Sequence, residues 1–158
     1  FLSCWSQRLQ QRSSVSLRDV PPSPPSPRAT VASGTLAEAQ AVLDLTNAER
    51  TSHDLSPVSL HLKFTQAAKS HFTDQFSRGC SNFSHTGSEW SSPFDRIRST
   101  DFSYRAAGEN LACGFQAPGA VLDGWMNSAS HSANIRYGKF ASIGIVAAPD
   151  AFSRLCWV

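Results

Sequence analysis

The chain has 158 residues, a formal net charge of +2, 41% apolar residues and 16% charged ones, a size that suits one domain with a sizeable core rather than two. Residues 1–34 hold Arg8, Arg12, Arg18 and Arg28 against Asp19 alone (4 − 1 = +3), so the remainder sums to −1 (2 − 3) and lacks the basic face that nucleic acid requires. No run approaches the roughly 18 apolar residues of a membrane span.

Residues 1–34 are rich in Ser, Pro and Arg and end in Pro21-Pro22-Ser23-Pro24-Pro25-Ser26-Pro27. Proline lacks an N–H and is fixed in φ, so this run favours polyproline II and reads as an extended tail or linker ahead of a domain over 35–158. Its Ser-Pro-Pro repeats are similar to those of plant and algal wall glycoproteins, which points outside the cell. A ligand for SH3 or WW domains is the alternative reading. The single methionine is Met126, which implies a removed leader or a fragment.

Thr35-Leu36-Ala37-Glu38 has the form of a capping box and predicts the start of a first helix, with Leu36, Ala39, Val42 and Leu43 on one face and Asn47-Ala48-Glu49-Arg50 near its end. Ser56-Pro57 breaks the chain. A second helix follows over about 60–77, with Phe64, Ala67, Ala68, Phe72 and Phe76 at helical spacing as core. Ser92-Pro93 reads as N-cap and first residue of a short helix through Asp95, Arg96 and Ile97. Tyr104 to Ala107 predicts a short strand, and Pro118 opens a helix that turns Val121, Leu122 and Trp125 inward. Ala141–Ala147 and Phe152–Val158 predict a strand pair joined at Pro149-Asp150.

Three stretches carry the chemistry: Phe83-Ser84-His85-Thr86-Gly87, Gly108-Glu109-Asn110-Leu111, and Trp125-Met126-Asn127-Ser128 followed by His131. Two imidazoles and a carboxylate suit a divalent metal or a proton-transfer centre, because neutral nitrogen and anionic oxygen both donate to a borderline cation. His53, His61 and His71 lie outside these stretches and read as surface or helix-packing residues. Cys4, Cys80, Cys113 and Cys156 form no CxxC and no paired metal spacing. Cys80 with Cys113 is the expected bridge, since each lies close to a site residue, and closing that loop would contribute about 3–4 kcal/mol. Four unpaired thiols in a reducing compartment are the alternative. Asn82-Phe83-Ser84 is a glycosylation sequon near His85.

In order, the chain shows Asn47-x-Glu49-Arg50, Phe83-Ser84-His85-Thr86-Gly87-Ser88, Gly108-Glu109-Asn110-Leu111-Ala112-x-Gly114, Gly124-Trp125-Met126-Asn127-Ser128-x-x-His131-x-x-Asn134-Ile135 and Phe140-x-x-Ile143-Gly144-Ile145. This series resembles the CAP superfamily, also called SCP or pathogenesis-related-1, in its bacterial-type branch, over about residues 38–158. The resemblance implies an α+β fold, an α-β-α sandwich with a central antiparallel sheet flanked by helices. It also implies a surface cleft of two His and two Glu able to hold a divalent metal such as zinc. His85 and His131 match the two histidines, and Glu109 matches the Glu of the Gly-Glu-Asn motif, as ligand or as an acid behind the ligands. The second acidic position falls on Ser128. Glu89-Trp90 replaces the branch's usual Asp-Gly, and Glu89 is a candidate substitute for the missing acid. Ser132 stands where the branch usually has Arg.

With the second acid absent, metal binding is expected to be weak and to fade with falling pH, because protonated imidazole cannot ligate. The resemblance implies a secreted, non-enzymatic binder of a small apolar ligand, such as a sterol or fatty acid, or of a partner protein. One alternative is a metal-dependent hydrolase with His85 and His131 on the metal and Glu109 as general base. Another is a wall-associated module anchored by its proline-rich tail. Neither a Gly-x-Ser-x-Gly elbow nor a His-Glu-x-x-His motif is present.

Overall fold

The computed structural model describes residues 27–75, 79, 82–151 and 153–158, with side chains from residue 36 onward. Helix α1 covers Pro27–Thr51. Pro27 occupies its first turn, where a fixed φ and a missing N–H cost nothing. The helix therefore starts at Pro27 and passes through Thr35, which is interior and not the expected cap. The rest of the proline-rich run lies outside the described residues. Ala39, Val42, Leu43, Thr46 and Arg50 form the buried face, whereas Leu36, expected there, is exposed.

Helix α2 covers Leu62–Gln75 and buries Ala67, Ala68, His71, Phe72 and Gln75; Phe76 lies outside the described residues. Helix α3, Pro93–Arg98, begins as the sequence predicts, with Ser92 and Asp95 in a reciprocal capping box and Pro93 in the first turn. The Ser92 hydroxyl and backbone, with Arg98, hold the Asp95 carboxyl down at about 2. Helix α4, Pro118–Met126, also follows its proline, and helix α5, Ala129–Ile135, leaves it after a two-residue corner, Asn127-Ser128, and carries His131.

Among the described residues, five short strands form two sheets. Strand β1 (Ser59–Leu60) pairs in parallel with β3 (Ser142–Ile143). Strand β2 (Ala112–Cys113) and β4 (Ala147–Pro149) flank the central β5 (Leu155–Trp157) in an antiparallel sheet. A hairpin closes after Pro149 as β4 and β5, but the strand expected over Ala141–Ala147 is split: Ser142–Ile143 pairs with β1 in the other sheet and only Ala147 of that range enters β4. Tyr104–Ala107, however, is irregular, with a bend at Arg105 and no ladder, and the third strand of the sheet is β2.

Alternation along β5 separates two cores. Leu155 and Trp157 face α1 and α4, joining Val42, Leu43, Val121, Leu122 and Trp125, while Cys156 and Val158 face α2, joining Ala68 and Phe72. A strand buried on both faces between helices is what makes the three-layer arrangement. The two indoles are satisfied inside it, Trp157 Nε1 donating to Phe115 O at 3.0 Å and Trp125 Nε1 to Leu111 O at 3.2 Å. Cys113 and Cys156 are directly opposed across β2 and β5 and form a disulfide. The expected Cys80–Cys113 bridge is thereby corrected: strand register, not nearness to the site residues in sequence, selects the partner. The bridge closes 43 residues, which constrains the unfolded chain by about 4 kcal/mol.

Gly144, just after β3, is where α2 lies directly on the strand. A Cβ there would sit 2.2 Å from the Phe64 carbonyl carbon and 2.3 Å from the Thr65 nitrogen, both backbone atoms that cannot yield. Gly144→Ala is expected to destabilise the domain by about 2–3 kcal/mol, the scale of overpacking. In contrast, Gly119→Ala in α4, where a Cβ meets open space, should be neutral or stabilising by up to about 1 kcal/mol. Urea unfolding of the two variants against the parent chain measures both.

Candidate functional site

The inner face of α2 builds one wall of the site. His71 Nε2 lies 2.8 Å from Ser84 O; a carbonyl only accepts, so this nitrogen carries the proton. Gln75 Oε1 accepts from Ser84 N at 3.3 Å, and Asp74 accepts from Ser88 N at 2.8 Å and from the Ser88 hydroxyl. These bonds fix the 84–88 loop and present the His85 ring, about half exposed (52%), to solvent. His71 itself is fully buried, and its Nδ1 has no partner.

The opposite wall is stitched by amides. Asn134 Nδ2 donates to Glu109 O at 3.3 Å and to Asn110 Oδ1 at 2.9 Å, and Asn110 Nδ2 donates to His131 O at 3.1 Å. A side chain on residue 108 would collide with the Asn134 amide, its Cβ 2.7 Å from Oδ1. The Gly108-Glu109-Asn110 stretch is thus a docking seat for α5, which carries His131.

Glu109 is the centre of the arrangement. Its Oε1 lies 2.9 Å from His85 Nδ1, and its Oε2 accepts from Arg96 Nη2 at 2.8 Å. His71 Nε2 lies 3.9 Å from Oε1. Arg96 is buried and also donates to Ser91 O at 2.8 Å and to His85 O at 3.2 Å, tying the His85 loop to α3. Burial raises the Glu109 pKa, but hydrogen bonds to His85 and Arg96 and the charges of Arg96 and His71 outweigh it, leaving the carboxyl below its usual value. Burial lowers His71, and the nearby Glu109 carboxylate only partly offsets this. His131 is also lowered, by burial first and then by the charge of His85, so the two imidazoles sense one another across the cleft.

The sequence candidates therefore fall into three groups. His85 and Glu109 are in contact, and His131 is seated by Asn110 on the neighbouring helix. Ser128 stands at the N-cap of α5, its hydroxyl 3.4 Å from that of Ser130. Glu89 is exposed on a 3₁₀ turn over Ser88–Trp90 with φ of 56°, and no ion pair joins it to the site. Asn82 is exposed.

Sequence reading missed Arg96 and His71. His71 sits at the same face as Ala68, Phe72 and Gln75, so the helical period alone marks it as inward-facing. Nothing local marks Arg96, whose partners lie on other segments. Among the remaining histidines, His61 packs edge-on against Phe64 and Phe102, and His53 is exposed beside Glu49.

As a donor set for a cation the cleft is sparse. With Nδ1 turned to Glu109, His85 offers Nε2, in the manner of a carboxylate that orients a ligating imidazole. His131 offers its ring nitrogens. Among the described residues, the only trio of His, Cys, Asp or Glu ligand atoms lying within 4.8 Å of one another is Cys113, Asp150 and Cys156, where both sulfurs are already in the disulfide. Behind Glu109 and Arg96 lies a cavity of about 160 Å³ lined chiefly by apolar groups of Val42, Val58, Phe64, Ala68, Ile97 and Ile145.

Residues 43–158 match the model of the cysteine-rich secretory protein family, CAP. The chain belongs to that family. It is 36% identical over 104 residues to the Bacillus subtilis protein YkwD, covering 66% of this chain and 40% of YkwD. It is also 29% identical over 104 residues to the B. subtilis membrane protein YlbC, covering 66% of this chain and 30% of YlbC. The chain thus spans well under half the length of either relative. An extracellular SCP-domain protein from Bacillus anthracis superposes with a TM-score of 0.69 at 25% identity, over 85% of this chain and 43% of that one. An outer surface protein of Borrelia burgdorferi gives 0.70 at 19% identity, over 77% and 88% of the two chains. The CAP fold read from the motifs is therefore present, and no described helix of this CAP domain is long and apolar enough to cross a membrane.

The buried His71 gives this CAP domain a testable pH response. Its pKa is lowered in the folded state from 6.5, so its contribution is intact above about 6.5 and declines as pH falls towards the lowered value, where only the unfolded chain takes the proton. Glu109 adds a loss in the same direction at more acid pH, its contribution present above the ordinary value of 4.5 and lost on falling through the lowered one. Urea unfolding from about pH 7.5 to 5 should show a decline that His71→Gln flattens, by at most about 1.4 kcal/mol per pH unit. Parallel profiles for the two proteins would refute the assignment.

Proposed function

We propose that this CAP domain works outside the cell as a binding module rather than a catalyst. The observation that carries this reading is the commitment of Glu109: both of its oxygens are engaged, by His85 and by Arg96, and its pKa is lowered. A general base must hold a lone pair towards substrate and sit near the working pH; Glu109 instead orients His85 and neutralises Arg96. The disulfide and the extracellular or surface character of the B. anthracis and B. burgdorferi neighbours support the location.

Two kinds of ligand fit. His85 Nε2 and His131 would hold zinc or a similar divalent cation weakly. Such an ion would supply Lewis acidity and a fixed positive charge at the cleft mouth. The cavity behind Glu109 suits a small apolar group: at about 160 Å³ it matches a benzene-sized space, so a thin acyl end fits it and the four fused rings of a sterol do not. Burial of apolar area would drive this binding independently of the histidines.

Calorimetric zinc titration should give weak binding near neutral pH that fades at acid pH, because protonated imidazole cannot ligate. It should be lost in His85→Ala or His131→Ala and strengthened in Ser128→Glu. Binding of indole, followed by NMR, should survive His85→Ala and be lost in Ala68→Leu, which fills the cavity, while zinc binding persists in the latter. Zinc-dependent ester or peptide hydrolysis that disappears in Glu109→Gln would overturn the reading in favour of a hydrolase.

A further inference from the structure

Two features are not accounted for by the function above: the aromatic side of the stretch 104–107 and the proline-rich run. The first lines a surface groove of about 280 Å³ that borders the apolar cavity, sharing Ala106, Ala107, Asn134 and Phe140 with it. Phe94 and Tyr104 stack along one wall, their centroids 6.3 Å apart at 21°. Tyr137 and Phe140 form the other, 4.7 Å apart at 58°. Phe94 and Tyr137 are 43% and 39% exposed. The far wall is rigid because Arg50 Nη1 donates to Tyr137 O at 3.1 Å and Nη2 to Phe140 O at 3.0 Å.

The groove is rich in unengaged donors. Backbone groups of residues 103–107 make no hydrogen bond to any described residue. Among the described residues the Arg105 guanidinium and the Tyr137 hydroxyl are likewise without hydrogen-bond or ion-pair partners, and Arg105 is exposed. A regular strand would not complete this floor, since the chain bends at Arg105 and a ladder needs alternating donors and acceptors along a straight edge. What fits is a ligand with flat apolar faces for the rings and carbonyl acceptors for the donors, already ordered so that little entropy is lost on binding. A polyproline II segment has these three properties, because each proline removes a donor and leaves its carbonyl exposed.

The chain carries a run whose composition favours that conformation, with five prolines in the seven residues from Pro21 to Pro27, of which 21–26 lie outside the described residues. We propose that the aromatic groove receives residues 21–26 of a second copy of this chain. Reach excludes the copy's own run. Helix α1 begins at Pro27 and extends 25 residues, or about 37 Å at 1.5 Å per residue. The groove sits at its far end, beside Arg50. Six residues in polyproline II span only about 19 Å. The run of one copy therefore meets the groove of another, a contact between copies that forms as concentration rises.

Sedimentation equilibrium of the full chain tests this. The expected result is concentration-dependent self-association, weakened at least about tenfold by Tyr137→Ala with Phe94→Ala, as befits exposed aromatic anchors. It should weaken equally when Pro22, Pro24 and Pro25 are replaced by Ala, and Tyr137→Phe should retain most of it. A synthetic peptide of residues 19–28 in excess should dissociate the assembly, and its binding should shift amide signals of residues 103–107. A chain that stays monomeric at all concentrations overturns the proposal, even if the added peptide binds, since the groove would then serve an external proline-rich partner. Association unchanged in either multiple variant overturns it as well. Circular dichroism of each variant establishes that the fold persists.

Discussion

A single guanidinium holds the two ends of the domain's scaffold together. Arg50, 1% exposed, donates to four main-chain carbonyls: Ser56 O at 2.9 Å, Ile135 O at 2.8 Å, Tyr137 O at 3.1 Å and Phe140 O at 3.0 Å. A buried cation without a carboxylate is costly unless every donor finds an acceptor, and these turns supply carbonyls that no helix or strand uses. Asn47, one turn earlier, mimics a strand neighbour by exchanging two bonds with Val58, at 2.9 and 2.8 Å. Glu49 pairs with Arg136 at 2.8 Å on the outer side. The Asn47-x-Glu49-Arg50 stretch is therefore a clamp: it fixes where α1 ends, where β1 begins and how α5 leaves the site.

From that clamp the cleft follows. With α5 held at both its exit, through Arg50, and its seat, through Asn110 and Asn134, the backbone that carries His131 is fixed against the Gly108–Asn110 stretch. The carboxylate is in turn shared among one exposed imidazole, one buried imidazole and one buried guanidinium. Such sharing gives rigidity and costs reactivity: each bond that positions Glu109 also lowers its basicity. Glu109 and Arg96 also line the mainly apolar cavity, so the charged cleft and the apolar space share these two residues.

The parts legible in the sequence were those written in local chemistry. Ser92-Pro93-x-Asp95 and Pro118 encode helix starts through capping and fixed φ, and both helices begin where these residues stand. The inward faces of α2 and α4 follow from helical spacing. Where competing long-range terms decided, local reading failed. Thr35 has cap chemistry, yet Pro27 is equally able to open a helix, and the earlier start prevailed. Tyr104–Ala107 has strand character, but the pairing positions beside β5 are taken by β2 and β4. Cysteine pairing followed a cross-strand register that no spacing rule reveals. The motif series located His85 and Glu109 in one site, whereas Arg96 was invisible because its role depends on three segments meeting.

The central position of β5 also orders events during synthesis. Residues 155–157 lie between two strands that precede them in the chain, so β2 and β4 have no common partner until β5 has emerged. Until then both edges, the apolar side chains of α1 and α4 that Trp157 covers, and the Cys113 thiol remain open to other chains. Sheet closure is thus a late, long-range step with a high entropic toll. Until residues 155–157 arrive, a nascent chain of this design is open to wrong pairing at those edges and has to be shielded.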